Sequence, residues 1–210
     1  MGLLTRGDGM DSTVIVAILI TVAVVGGVLV FQYLQRRGQM RAWQEVAAQS
    51  GLACEGGSLL TYPTVKGIYR GRELEMYVHR HTTGAGKNRR TSTSTRIAMT
   101  VDNPAGLRLD LSEEKILGRI GKQLGMQDIQ VGDAEIDRRF MIKGEPAEAV
   151  GQMFMSETLR QKLLALPSLN LELNGTALRY EKPGAEKKAE RLTGLFELMD
   201  ELAAAVERAG

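Results

Sequence analysis

The chain has 210 residues, of which 43% are hydrophobic and 25% charged, and its formal net charge is +2. This composition is typical of a folded globular protein and excludes a disordered chain. The net charge is too small to indicate nucleic-acid binding by the chain as a whole, and the single cysteine, Cys54, excludes an intrachain disulfide.

An apolar segment near the N-terminus predicts a membrane-spanning helix. Residues 14–31 carry no charged side chain, and at about 1.5 Å per residue they span about 27 Å, close to the hydrocarbon thickness of a bilayer. The competing interpretation is a cleaved signal peptide, whose apolar stretch is usually about 7 to 15 residues long and precedes a small-residue cleavage site. Because this run is longer and ends at Gln35-Arg36-Arg37, we expect a single permanent anchor over 13–34.

Basic residues flank the predicted anchor unequally. Three arginines follow it at Arg36, Arg37 and Arg41. The tail at 1–12 has one basic side chain, Arg6, together with Asp8 and Asp11. Because basic flanks stay on the cytoplasmic side, we expect the tail outside the cytoplasm and the soluble domain inside it.

Small residues inside the anchor predict a surface for helix packing. Ala23 and Gly27 are four residues apart and Gly26 adjoins them, so another helix can approach this face closely. The alternative is that these residues merely relax the helix, since glycine and alanine are frequent in membrane spans.

The first half of the remaining chain alternates between helical and strand patterns. We expect a juxtamembrane helix over 35–51, bent at Gly38, and a soluble domain over 52–210. Strands are predicted at 64–69 and 72–80, paired around Arg70-Gly71, and at 96–102. A short strand at 107–111 is expected to continue into a helix capped by Ser112.

The second half carries sharper local signals. A half-exposed strand is predicted around Phe140 and Ile142, and a helix is expected to start at Pro146. Another helix should begin after Ser156 and stop before Pro167. Asn174-Gly175 separates two alternating segments, which indicates a hairpin, and an amphipathic helix is predicted over 186–208. The predicted fold class is α+β: one N-terminal transmembrane helix, then a soluble domain of mainly antiparallel strands packed with amphipathic helices.

The last third of the chain resembles a known group of proteins. The segment GDAEIDRRFMIKG, the helices ending in LRQKLLAL and the hairpin after them are similar to an uncharacterised bacterial family of single-pass, membrane-anchored α+β domains. The resemblance implies a bacterial, membrane-anchored protein of unknown function. Together with the orientation given by the flanking charges, we expect the bacterial inner (cytoplasmic) membrane. The resemblance implies no activity and no site residues.

The segment 79–96 is the most unusual surface feature, because it joins two predicted strands and has no acidic residue. It carries five cations: Arg80, Lys87, Arg89, Arg90 and Arg96. Arginines and exposed backbone donors in such a loop bind phosphate groups or other anions. The alternative is a solvated loop whose charge maintains solubility.

The sequence offers no defensible catalytic or metal site. Gly84-Ala85-Gly86-Lys87 lacks the first glycine and the following hydroxyl of a phosphate-binding loop, since His81 and Asn88 occupy those positions. The two histidines, His79 and His81, are too few to hold zinc without a third ligand. We therefore expect no metal or cofactor, and an enzyme is the less favoured class.

Two function hypotheses remain. The first is a non-catalytic, membrane-anchored interaction module, an accessory or scaffolding subunit of a larger membrane protein complex. Its partners would be the lipid bilayer and other membrane subunits or a second copy, with no nucleic acid expected. The alternative is a sensor or binding domain for an anionic ligand or lipid headgroup that uses the basic loop 79–96.

Overall fold

The computed structural model describes residues 12–58, 61–113 and 127–209. It divides the chain into two compact units, Met1–Gly38 and Gln39–Gly210. The expected helix at 114–124 lies outside the described residues.

The first unit contains the apolar part of helix α1, which runs over Ser12–Ser50 and passes Gly38 without interruption. In the most apolar window of α1 the mean hydropathy is 3.1, and none of that window is buried inside the protein. Among the described residues, α1 is one helix that is long enough and apolar enough to cross a membrane. Large hydrophobic side chains such as Leu19 and Val22 are more than 60% exposed along it.

The described part of the second unit contains nine strands and four α-helices, in addition to the end of α1. The strands are β1 (Ala53–Gly56), β2 (Pro63–Tyr69), β3 (Arg72–Thr83), β4 (Arg90–Thr100), β5 (Arg108–Glu113), β6 (Gln127–Asp128), β7 (Phe140–Glu145), β8 (Asn170–Asn174) and β9 (Ala177–Pro183). The helices are α2 (Ala134–Arg139), α3 (Ala147–Met153), α4 (Glu157–Ala165) and α5 (Ala189–Arg208). The strands form one sheet in the order β1-β2-β3-β4-β9-β8-β5-β7-β6, and every pair of neighbours is antiparallel.

One face of this sheet is a continuous apolar core. The strand register aligns two rows of residues that run across β3, β4, β9, β8, β5 and β7. The first row is Leu74, Met99, Leu178, Leu173, Leu109 and Gly144, and the second is Met76, Ile97, Tyr180, Leu171, Leu111 and Ile142. The side chains of these rows are buried, whereas the residues that alternate with them are largely half-buried or exposed. Because successive side chains point to opposite faces of a strand, the other face is polar.

Helix α5 supplies the largest apolar stripe packed against that core. Its residues Leu192, Leu195, Met199, Leu202 and Val206 are completely buried, as the helical spacing predicted. Ion pairs fix its polar edge to the strands, since the Arg72 guanidinium lies 2.5 Å from a carboxylate oxygen of Asp200 and also contacts Glu207.

The C-terminal end of α1 belongs to the same core. Trp43 and Val46 are fully buried, and Trp43 Nε1 donates a hydrogen bond of 2.9 Å to the carbonyl oxygen of Glu186. The backbone N–H of Glu186 in turn donates to Thr95 Oγ1 over 2.8 Å. The last turns of α1 are therefore part of the folded domain, whereas the boundaries expected at 12, 34 and 51 stay a prediction.

The α+β fold class is confirmed, and several local signals appear where they were expected. Ser156 caps α4 by accepting a hydrogen bond from the Leu159 N–H, and Gly175 adopts a φ of 59° in the turn between β8 and β9. Such a positive φ favours glycine.

Two expectations about secondary structure were wrong, and one short helix was not predicted. Residues 79–96 are mostly strand, because β3 and β4 continue to Thr83 and from Arg90 and pair with each other. Ser112 lies inside β5 instead of capping a helix, since pairing with both β7 and β8 holds this segment extended. The short helix α2 was missed; Asp133 caps it by accepting hydrogen bonds from Glu135 N–H and Ile136 N–H.

Replacing Trp43 with alanine tests whether the end of α1 is integral to the domain. Trp43→Ala removes a fully buried ring and its hydrogen bond to Glu186, so the free energy of unfolding should fall by about 3 to 5 kcal/mol. The measurement is urea unfolding of the full-length chain in micelles, followed by circular dichroism. Gln44→Ala, at an exposed position of the same helix, is the control, and an equal effect of both changes would contradict the packing.

Candidate binding groove and basic arm

Strands β3 and β4 extend beyond their neighbours as a two-stranded arm. Pairing of β2 with β3 stops at Met76, and pairing of β9 with β4 stops at Thr95. The two strands nevertheless pair with each other as far as Thr83 and Arg90. We call residues 80–93 the basic arm, because it carries four cations and no acidic side chain.

The turn of the arm depends on a glycine. Gly84 has a φ of 79°, and a Cβ atom placed on it would lie 2.4 Å from the carbonyl oxygen of Asn88. Any other residue is therefore excluded without a shift of the backbone. A short 3-10 turn at Gly86–Asn88 completes the reversal.

The structure separates the five predicted cations. Lys87 and Arg89 lie at the turn, and Arg80 and Arg90 lie on opposite faces of the arm, opposite Thr93 and Thr83 respectively. All four are exposed, and none has an ion-pair partner among the described residues.

Arg96 differs from the other four cations. Its guanidinium lies 2.9 Å from one carboxylate oxygen of Glu181. The other oxygen of that carboxylate accepts a 2.6 Å hydrogen bond from Ser94 Oγ. Burial lowers the pKa of Arg96, but the hydrogen bond and charge of Glu181 outweigh it, so the pKa is raised. Arg96 is therefore occupied by a partner within the protein.

Next to the arm, the polar face of the sheet forms a groove with a volume of about 850 Å³. We call this feature the sheet groove. It is lined mainly by polar side chains from β3, β4, β5, β8 and β9, including Tyr77, His79, Arg96, Asp110, Asn170, Glu172, Arg179 and Glu181. This volume lies within the range of small-molecule sites, about 300 to 1,000 Å³.

A row of charged residues crosses the floor of the sheet groove. Arg179 lies opposite Glu172, Glu172 opposite Asp110, and Asp110 opposite Lys143. Two carboxylates are thus direct cross-strand neighbours, an arrangement that normally destabilises a sheet. Burial and the charge of Glu172 raise the pKa of Asp110, and Lys143 opposes that shift only in part.

The two histidines lie along the rim of the sheet groove. The rings of His79 and His81 are stacked, with centroids 6.4 Å apart. Within the described ranges, no group of three or more histidine, cysteine, aspartate or glutamate side chains is placed to hold a metal ion.

The predicted helix-packing residues lie on one exposed side of α1. Ala23 and Gly27 are one turn apart, and a Cβ atom added at Gly26 or Gly27 would have no neighbour within 4 Å among the described residues outside its own stretch of helix. These positions are therefore open to a partner helix.

Sequence reasoning singled out the cations of the basic arm, without its paired strands, and missed the sheet groove. The cations of the arm are contiguous in the chain, whereas the groove brings together residues from positions 77 to 183. Only the strand register reveals that Asp110 and Glu172 are neighbours.

Comparison with known proteins defines the fold class without defining a family. No protein-family model matches the chain, and no curated protein matches it. A crystal structure described as the mycobacterial trehalose monomycolate transport factor A, TtfA, is similar, with a TM-score of 0.53 and 14% sequence identity. The match covers 81% of this chain and 96% of that chain. The chain therefore shares the fold of that transport factor.

Replacing Asp110 with asparagine tests the repulsion in the sheet groove. Because the pKa of Asp110 is raised in the folded state, its ionised form destabilises the fold at neutral pH. Asp110→Asn should increase the free energy of unfolding at pH 7 by about 0.2 to 1 kcal/mol. The gain should shrink as the pH falls through the raised pKa, since wild-type Asp110 then becomes neutral as well.

The measurement is urea unfolding at a series of pH values. Glu73→Gln is a matched control, because Glu73 is an exposed strand carboxylate that lies outside the sheet groove. A gain from Asp110→Asn that is the same at acidic and neutral pH would contradict the repulsion.

Proposed function

We propose that the protein is a non-catalytic, membrane-anchored accessory subunit of a larger membrane protein assembly, with its folded domain in the cytoplasm. The observation that carries this proposal is the apolar part of α1, whose most hydrophobic window is not buried by the protein itself. A helix with this hydropathy is stable when lipid or another helix covers it. The arginines after the span support the cytoplasmic orientation.

The structural neighbour supports an accessory role and suggests the kind of assembly. TtfA is described as a factor for the transport of trehalose monomycolate. We therefore propose that the assembly of this chain transports a lipid or glycolipid across the inner membrane of a bacterium.

The small face of α1 is our candidate contact with the other subunits or with a second copy. It consists of Ala23, Gly26 and Gly27, and a Cβ atom added at either glycine would lie more than 4 Å from the described atoms outside its own stretch of helix. Substitutions here leave the folded domain intact and change only what approaches the helix.

Bulky residues on this face provide the test. The triple variant Ala23→Leu, Gly26→Leu, Gly27→Leu should stay in the membrane after carbonate washing but lose its stoichiometric partners. The reason is that leucines prevent close approach of a second helix. The measurement is purification of the tagged full-length chain from native membranes in mild detergent, with quantitative mass spectrometry of the bound subunits.

The matched control is Val22→Leu, Val24→Leu, Val25→Leu, which alters the same helix without filling the small face. Partners retained by the control and lost by the test variant would support the proposal. Recovery of the wild-type chain alone, or its release by carbonate, would contradict it.

The basic arm favours a second candidate function, the binding of anionic lipid headgroups. Lys87, Arg89 and Arg90 are exposed and have no carboxylate partner in the described part of the chain. A cation near an anionic membrane surface contributes about 1 kcal/mol, so three of them contribute about 3 kcal/mol.

Removing these charges tests the second candidate. In the triple variant Lys87→Ala, Arg89→Ala, Arg90→Ala, the arm should lose its preference for anionic over neutral nanodiscs. The measurement is energy transfer from a dye at Ser92→Cys to a lipid dye, in the full-length chain carrying Cys54→Ser. Arg108→Ala, Arg138→Ala, Lys188→Ala removes the same charge from exposed positions outside the arm and should keep the preference. Equal energy transfer in both variants would contradict headgroup binding.

A further inference from the structure

The two neighbouring carboxylates of the sheet groove have no hydrogen-bond partner among the described residues. Neither Asp110 nor Glu172 accepts a hydrogen bond from the described residues, and no lysine or arginine nitrogen among them lies within 4.0 Å of either carboxylate. Both side chains are half-buried. Their oxygens are therefore open to hydrogen-bond donors of a molecule that enters the groove.

Further polar groups beside the carboxylates are also available. Asn170 lies opposite Ser112 on the strand next to Asp110, and its amide both donates and accepts hydrogen bonds. Arg179 is exposed and lies opposite Glu172 without forming an ion pair. The centre of the groove thus offers donors and acceptors side by side.

One end of the groove is different, because its groups are already paired. The Glu181 carboxylate accepts hydrogen bonds from both Arg96 and Ser94, and Arg96 also interacts with Tyr77. The Tyr77 ring is half-buried at this end. The Tyr77 ring therefore presents a flat apolar surface next to the polar side chains at the centre of the groove.

The charges of the groove restrict the chemistry of its ligand. Three carboxylates, Asp110, Glu172 and Glu181, face two guanidinium groups, Arg96 and Arg179. An anion would meet the unpaired carboxylates, and an acyl chain would leave these charged groups without partners. The described groove also lacks a third ligand to complete a metal site. A neutral molecule rich in hydroxyl groups satisfies both the acceptors and the donors.

We propose that the sheet groove binds a neutral carbohydrate. Asp110 and Glu172 accept hydrogen bonds from adjacent hydroxyls, Asn170 and Arg179 donate to other oxygens of the sugar, and Tyr77 packs against its C–H surface. The sugar is either free or the headgroup of a glycolipid. This site goes beyond the accessory role and does not rest on it, since a chain without membrane partners would retain the groove.

The test uses the full-length chain in phospholipid nanodiscs, prepared without sugar-based detergents. Saturation-transfer NMR with glucose, maltose and trehalose measures binding of free sugars. Native mass spectrometry of chains released from nanodiscs with and without a diglycosyl diacylglycerol measures binding of a glycolipid. Asp110→Asn, Glu172→Gln should weaken binding by at least about tenfold, because charged acceptors form the stronger hydrogen bonds. Glu73→Gln, on the same strand face outside the groove, should bind as the wild type does.

The experiment distinguishes a free sugar from a glycolipid headgroup, and it distinguishes both from failure of the proposal. Binding of free sugars that the double variant loses identifies a soluble carbohydrate, and binding of the glycolipid alone, with the same loss, identifies a headgroup. Urea unfolding checks that the double variant is folded. We expect it to be folded, because the changes remove the repulsion between the two carboxylates. Absence of any sugar or glycolipid binding, or equal binding by wild type and double variant, would overturn the proposal.

Discussion

The apolar stripe of α5 determines how the rest of the domain is arranged. It covers the face of the sheet on which two rows of aliphatic, thioether and aromatic side chains run across six strands. Burial of this surface is the dominant favourable term in folding. Because strand side chains alternate, fixing the apolar rows against the helices also fixes which polar residues line the sheet groove.

The same constraint explains the two kinds of polar surface on the domain. Where the sheet is wide, polar residues from several strands converge and form a groove. Where only β3 and β4 continue, no helix in the described part of the chain covers the ribbon, which carries Ser, Thr and basic residues on both faces. A two-stranded ribbon has little burial of its own, so attachment to the wide sheet is what keeps the arm in register.

Local signals in the sequence predicted much of the fold. Asn174-Gly175 predicted its hairpin because an αL turn requires such residues, and Ser156 predicted a helix start because its hydroxyl satisfies a free N–H. The signals failed where pairing between distant segments outweighed them. Ser112 has the chemistry of a cap, but two flanking strands hold it in the sheet. The groove could not be predicted, because its central carboxylates are 62 positions apart (172 − 110) and meet only through the register.

The hydrogen bond between Trp43 and the carbonyl of Glu186 cannot form until most of the chain has been synthesised. It joins residues 143 positions apart, and the apolar segment of α1 precedes both of them. A growing chain therefore completes this apolar segment long before Glu186 leaves the ribosome. The domain completes its core only when the C-terminal elements arrive. A chain arrested before β9 would leave the apolar surface around Trp43 uncovered.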